Sequence, residues 1–258
     1  MTNLSNRSIN LLKNDNVTWY KWYVLWQRES EFQTYFVIGA IFAEIIEQYH
    51  KKWEREIDRF VTKLKSQFMI NNCTEDEREK AITQLHELVE NAKLVVIDRT
   101  EHSEFESIIS IDSDYSLKCK YDALWSEYVE DYKSVTSFSK EDEAMEKYAQ
   151  QIKLYQWSEY KRTGNKIKGK ITEIKKGRPT LPTKKEELIA LLPEWVDNTG
   201  TVADIRARLY LYVNKDQISK EFWFERNDSI LEYVPNLLRK SIIKANYLKS
   251  LQSLDDVL

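Results

Sequence analysis

The chain has 258 residues, 42% of them hydrophobic and 31% charged, with a formal net charge of −3. That length and balance suit a globular protein with a substantial core, built as one large domain or two small ones, and 5 Gly with 4 Pro argue against long flexible linkers. The overall charge offers nucleic acid no attraction, no apolar run nears the ~18 residues of a membrane span, and Cys73 and Cys119 cannot complete a four-thiolate zinc or iron–sulfur centre. The two cysteines read as free thiols of a reducing cytoplasm, and the N-terminus carries no signal-peptide pattern.

Residues 8–28 mix apolar and aromatic side chains at helical spacing, Ile9, Leu12, Trp19, Trp22 and Tyr23 among them, with a break at Asp15-Asn16. A helix from near Gly39 to about Gln67 carries Phe42, Ile45, Ile46, Tyr49 and Trp53 as a buried stripe, with Ala43, Glu47 and His50 beside it. Thr74 followed by Glu75, Asp76 and Glu77 predicts a capped helix reaching about Ala92. Lys93–Ile97 and Phe105–Ile111 are short and β-branched, and read as strands.

The stretch KYDALWSEYVEDYKSV, residues 120–135, reads as a hairpin. Centring its turn on Ser126-Glu127 pairs Trp125 with Tyr128, Leu124 with Val129, Ala123 with Glu130, and Asp122 with Asp131. Like charges directly opposed on a sheet are destabilising and call for a compensating partner. A divalent cation such as Mg2+, held by one or two carboxylates, water and phosphate oxygens, is one such partner; ordinary decoration of a sheet surface is the other reading. Lys133 falls on the face of Asp131, where it can stabilise developing negative charge or help activate a water.

Ser139–Thr163 is predicted as a long helix with Met145, Tyr148, Ile152, Tyr155 and Tyr160 at helical spacing, and Lys166–Lys175 alternates basic and apolar residues as a strand. Between Lys161 and Lys185 stand ten Lys or Arg against the single acid Glu173, either a local basic patch or a solvated face. From Thr183 onward the pattern is helical, with amphipathic stretches at Lys184–Leu192, Ile205–Val213 and Leu237–Leu251 and breaks at Asp197–Gly200 and Asn227-Asp228.

The order of these residues resembles the RecB/Cas4-like exonuclease branch of the PD-(D/E)XK nuclease superfamily. That family's Asp, (Asp/Glu)-x-Lys and Gln-x-x-x-Tyr match Asp122, Asp131-Tyr132-Lys133 and Gln151–Tyr155. Leu4–Leu11 is similar to the family's N-terminal helix start, Gly39–Glu47 to its Gly-x-x-x-His-x-x-x-Glu helix, and NKIKGKITEI to the strand that follows the Gln/Tyr helix. The likeness spans residues 4 to about 176. It departs from the family at Ala43, where many members carry a metal-binding His; His50, two turns on, is either a substitute or a packed residue.

The resemblance implies an α/β restriction-endonuclease-like core over 1–178, a small mixed sheet flanked by helices, and a helical C-terminal extension over 179–258. It implies that Asp122 and Asp131 ligate Mg2+ or Mn2+, with the Tyr132 carbonyl as a further ligand and no iron–sulfur cluster. Glu47 would stand near the metal or support its waters, and Lys133 would orient or polarise the attacking water. Gln151 and Tyr155 would contact a DNA strand or brace the site, and Lys161, Arg162, Lys166 and Lys168 would track the DNA backbone.

The expected activity is metal-dependent exonucleolytic hydrolysis of DNA in recombination, repair or phage DNA metabolism, in the cytoplasm of a bacterial or phage-infected cell and with no membrane role. The C-terminal helices would narrow a DNA channel, dock a single-strand annealing protein or helicase, form an oligomer contact, or cap the core. The rival reading is a nuclease-fold DNA-binding or protein-interaction module that does not cut, which Ala43 favours. A purely helical interaction protein is disfavoured by the β-branched block from Leu94 to Val135.

Overall fold

The structure is a computed structural model describing residues 2–27, 34–51, 57–71, 73–96, 100, 102–179, 181–210, 215–251 and 256–257. Strand β1 (Thr2–Leu4) leads into α1 (Asn6–Asn14), which Ser5 caps through Ser8. Asp15 ends α1 and its carboxylate caps α2 (Asn16–Tyr23) through the Thr18 N–H, so the expected break is a helix-to-helix corner. Helix α3 (Thr34–Lys51) starts ahead of Gly39 and buries Phe42, Ile45, Ile46 and Tyr49; α4 (Ile57–Ile70) follows, and Trp53 lies outside the described residues.

Thr74 and Glu77 form the expected capping box at the start of α5 (Glu75–Val95). Here the strand expected at Lys93–Ile97 fails, because Lys93, Leu94 and Val95 form the last turn of α5, while Ile97 lies outside the described residues. Packing overrides the local β preference: Leu85, Leu88, Val89 and Ala92 continue one buried face into that turn, and Lys93 pairs with Glu90.

The remaining elements are β2 (Ser103–Ser110), β3 (Tyr115–Leu124), β4 (Tyr128–Val135), α6 (Glu141–Thr163), β5 (Lys168–Lys175), α7 (Lys185–Leu191), α8 (Val202–Tyr210), α9 (Lys215–Ile218), β6 (Ser219–Phe224) and α10 (Ile230–Ser250). The helix read as Ile205–Val213 is α8, and residues 211–213 lie outside the described residues. The strands form one mixed sheet in the order β1-β3-β4-β5-β6, with β2 also paired to β3. Strands β4 and β5 run parallel because α6 carries the chain back between them, and β5 and β6 run antiparallel. One edge of β3 holds β2, while its other edge is shared, with β1 on Tyr115–Leu117 and β4 only on Ala123 and Leu124. The sheet is therefore forked beside Asp122.

Helices cover both faces. Helices α1, α2, α6 and α10 bury Leu12, Trp19, Ile152 and Leu238 with Leu117, Val129, Ile171 and Phe222 of the sheet. Against the other face α3, α4 and α5 bury Ile45, Leu64 and Leu88 with Ala123, Tyr132 and Ile174. Gly169 lets α6 lie directly on β5, for a Cβ there would sit 2.2 Å from Cγ2 of Ile152. The residues beyond 178 are not a purely helical extension. They supply β6 to the central sheet and α10 to the core around α6, while only α7 and α8 gather in a small cluster of their own at Leu188, Ile205 and Leu209. Among the described residues no helix is long and apolar enough to cross a membrane.

Candidate active site

The hairpin closes as its residues dictate: the Trp125 N–H donates to the Tyr128 carbonyl at 2.9 Å, and Leu124 pairs with Val129 and Ala123 with Glu130. The ladder then stops one step short of the expected Asp122–Asp131 pair. Instead, Oδ2 of Asp122 accepts the Tyr132 N–H at 2.7 Å, so a side chain replaces the ladder bond where the strands part. Tyr132 thus enters the site through its backbone, while its ring packs under α3.

Asp131 is 3% exposed, with its hydrogen bonds on Oδ1 and none on Oδ2. Its Oδ1 accepts Nε2 of Gln151 at 2.9 Å and the Tyr155 hydroxyl at 3.3 Å, and Lys133 forms an ion pair with its Oδ2. The i, i+4 spacing of Gln151 and Tyr155 places both on one face of α6, and Gln151 also donates to the Tyr155 oxygen at 2.6 Å. The Tyr121 ring meets the Tyr155 ring edge-on at 4.8 Å and fixes it from the sheet side. In the structure both Gln151 and Tyr155 bond to the Asp131 carboxylate.

Charge is concentrated here. Burial first, and then the charge of Asp131, pushes the Asp122 carboxyl up to about 7, against the opposing pull of Lys133, the Tyr132 N–H and Lys120. Burial alone would depress Lys133, but the Asp131 and Asp122 carboxylates outweigh it and raise its pKa, so it stands as an ammonium. Burial, reinforced by the same two aspartates, holds the Tyr155 hydroxyl well above its ordinary value, leaving it a neutral donor.

The donor set is hard oxygen, which suits Mg2+ or Mn2+ and not a soft metal. Among the described residues no three His, Cys, Asp or Glu side chains gather as a metal cluster, so Glu47 does not complete a triad with Asp122 and Asp131. Two carboxylates fit a Mg2+-like ion that keeps several waters and takes substrate oxygens, rather than an all-protein cage. Glu47 is half-buried on α3, the helix that packs against β3 and β4. His50 is 3% exposed, with its ring 6.0 Å from Trp125 and 5.8 Å from Tyr132 and neither nitrogen hydrogen-bonded. Burial lowers its pKa, with Glu130 opposing, so His50 is a packed neutral ring and does not replace the histidine missing at Ala43.

Five of the ten cations in the basic stretch, Arg162, Lys166, Lys168, Lys170 and Lys184, have acid partners among the described residues. Arg162 grips Glu159 with Nη2 at 2.7 Å, Lys166 pairs with Asp228, and Lys168 pairs with Glu225 at 2.9 Å. Lys170 binds Glu130 at 3.1 Å and Glu221 at 2.8 Å, and Lys161 lies over the Trp157 ring. Glu221, Glu225 and Asp228 come from β6 and the turn after it, far along the chain. Sequence reasoning also passed over Glu173, fully buried beside Lys133 in the β4–β5 register. The available signal was its isolation among ten cations.

No family model matches the sequence, and no curated protein matches it. Among solved structures, the crystal structure of a candidate exonuclease from Eubacterium rectale matches with a TM-score of 0.50 at 14% identity, covering 93% of this chain and 81% of that one. The two chains share a backbone fold, and at that identity the likeness concerns the backbone arrangement alone.

Proposed function

We propose that this nuclease-like protein is a Mg2+- or Mn2+-dependent deoxyribonuclease that degrades DNA from its ends during recombination, repair or phage DNA metabolism. The observation that carries the reading is the partly buried group at the fork of the sheet, two interacting carboxylates with a single ammonium held on one of them. Burying like charges together is costly without a cation.

When bound, the ion supplies Lewis acidity toward the scissile phosphate and lowers the pKa of a coordinated water. Asp122 and Asp131, with the Tyr132 carbonyl, would hold it at the fork. Lys133, kept protonated by its neighbours, donates to the attacking water or to a phosphate oxygen and offsets charge developing there; its raised pKa makes it a poor base. Gln151 and Tyr155 hold the Asp131 carboxylate in one orientation, and Glu47 supports the waters around the ion. Arg162, Lys166 and Lys168 already face acids of their own and would be weak phosphate contacts, with Lys161 beside them. The surrounding cell would be a bacterium or a phage-infected host, with an annealing protein or helicase as partner.

Ala43 supports a second reading, a nuclease-fold module that binds DNA or protein without cutting. The two separate on end-labelled linear duplex and single-stranded DNA with Mg2+ or Mn2+. Wild type is expected to cut, and Lys133→Ala and Asp122→Ala to lose about 10²-fold or more while remaining folded. Wild type that binds DNA and cuts nothing with either metal would favour the binding module.

A further inference from the structure

We infer that Lys147, Lys175 and Lys220, arranged around the buried Glu173 beside Lys133, form a binding subsite for the phosphodiester backbone of the DNA strand next to the scissile phosphate. The inference rests on the nuclease reading and joins one lysine of the basic stretch, Lys175, to two from outside it, Lys147 and Lys220. Across three neighbouring strands Lys133, Glu173 and Lys220 lie in register, so their side chains share the sheet face that carries Asp131. Two inter-strand steps separate the two lysines, about 10 Å. Lys175 follows Glu173 by two residues along β5 and points to the same face.

Glu173 organises the group. It is 0% exposed, and it accepts the Ser139 N–H at 2.8 Å, the Ser139 hydroxyl at 2.6 Å and the Tyr148 hydroxyl at 2.7 Å. These bonds pin the connection from β4 into α6. That connection in turn places cations: Lys220 Nζ donates to the Ser139 carbonyl at 3.0 Å, and Lys175 lies 4.7 Å from the centre of the Phe138 ring. Lys147 stands 4.0 Å from Glu173 and 4.6 Å from the centre of the Tyr148 ring, with its side chain 56% exposed. Glu143, one turn before Lys147 on α6, is engaged by Lys140 at 3.9 Å.

The charge balance differs from that of the basic stretch. Lys166 and Lys168 each face an exposed carboxylate of their own, whereas here four lysines meet three carboxylates, Asp122, Asp131 and Glu173. Glu173 is occupied by three neutral donors, so the lysines keep an excess of positive charge at the open side. Their ammonium groups lie over the rings of Tyr148, Phe138 and Phe222, which holds them in place before a ligand arrives. An array of compact point charges without forked donors suits the repeating anionic oxygens of a nucleic-acid backbone rather than base edges.

The test is binding of labelled single-stranded and duplex oligonucleotides by fluorescence anisotropy across a salt series, with Ca2+ in place of Mg2+. Each of Lys147→Gln, Lys175→Gln and Lys220→Gln should reduce the slope of log K against log salt by about 0.7 on single strands and about 0.9 on duplex. The loss should be the same for unrelated sequences, Lys147→Arg should restore the slope, and Lys80→Gln, at an exposed position of α5, should leave it unchanged. Wild type that binds with a slope these three substitutions do not alter would overturn the inference and leave the nuclease reading standing. Wild type with no affinity for either DNA would remove both.

Discussion

Asp122 carries a proton in the folded, metal-free protein over a range where the unfolded chain has released it, because burial and then Asp131 lift its carboxyl from the ordinary 3.8 to about 7. The folded state binds more protons than the unfolded state in that window, so stability falls as pH rises through it. The isosteric Asp122→Asn variant never ionises. Relative to wild type without metal it should be more stable above pH 7, and the advantage should shrink as pH falls toward 4, by about 1.4 kcal/mol per unit at most. Denaturant titrations of both proteins from pH 4 to 8 check this, and parallel curves would show that Asp122 titrates as an ordinary carboxyl. Mg2+ should stabilise wild type more at pH 8 than at pH 6, and the Asn variant little at either. Asp122, Asp131 and Lys133 were legible in the sequence because a hairpin with a two-residue centre leaves its register little freedom. The Asp122 bond to the Tyr132 N–H was not, since it requires the strands to part, and they part because β1 and β4 share one edge of β3.

Elements follow local rules until packing overrides them. The cap at Thr74, the break at Asp15-Asn16 and the buried stripe of α3 were readable in short windows, whereas the caps that Ser5 and Asp15 supply were not read there. The end of α5 was misread because Leu94 and Val95 favour a strand only when nothing holds the preceding turns helical. Strand β6, Ser219–Phe224, was missed because six residues flanked by helical patterns give too short an alternation, and its partner β5 lies far back in the chain. The seat of α6 on β5 yields a sharp prediction. Gly169→Ala drives a methyl group into Cγ2 of Ile152 at 2.2 Å, within a fully buried contact. Overpacking of this kind costs about 1–3 kcal/mol. The denaturant midpoint should fall accordingly, whereas an unchanged midpoint would mean that α6 shifts freely on the sheet. Such a shift would also move Gln151 and Tyr155 off Asp131.

At the scale of the whole molecule, the final third of the chain belongs to the core around the central sheet rather than following it. Phe222, Phe224, Val234, Leu238, Ala245 and Leu248 are buried with Tyr148 and Ile152 of α6. Burying each of the larger side chains contributes about 1.5–3 kcal/mol. Together these contributions rival the whole net stability of a domain, about 5–15 kcal/mol. A chain ending at residue 178 should therefore show no cooperative thermal transition by far-UV circular dichroism, and a cooperative melt would establish that the first 178 residues fold alone.

By itself the sequence determined the hairpin, its register from the turn as far as Ala123 and Glu130, and the helix bearing Gln151 and Tyr155, all of them set by spacing within a few residues. Tertiary structure alone decided which cations remain available. Lys166 and Lys168 are neutralised by Asp228 and Glu225, which lie some 60 residues further on, and Glu173 collects donors from Ser139 and Tyr148 more than 20 residues before it. Charge pairing depends on distance in space, and over such separations along the chain only the folded sheet sets that distance.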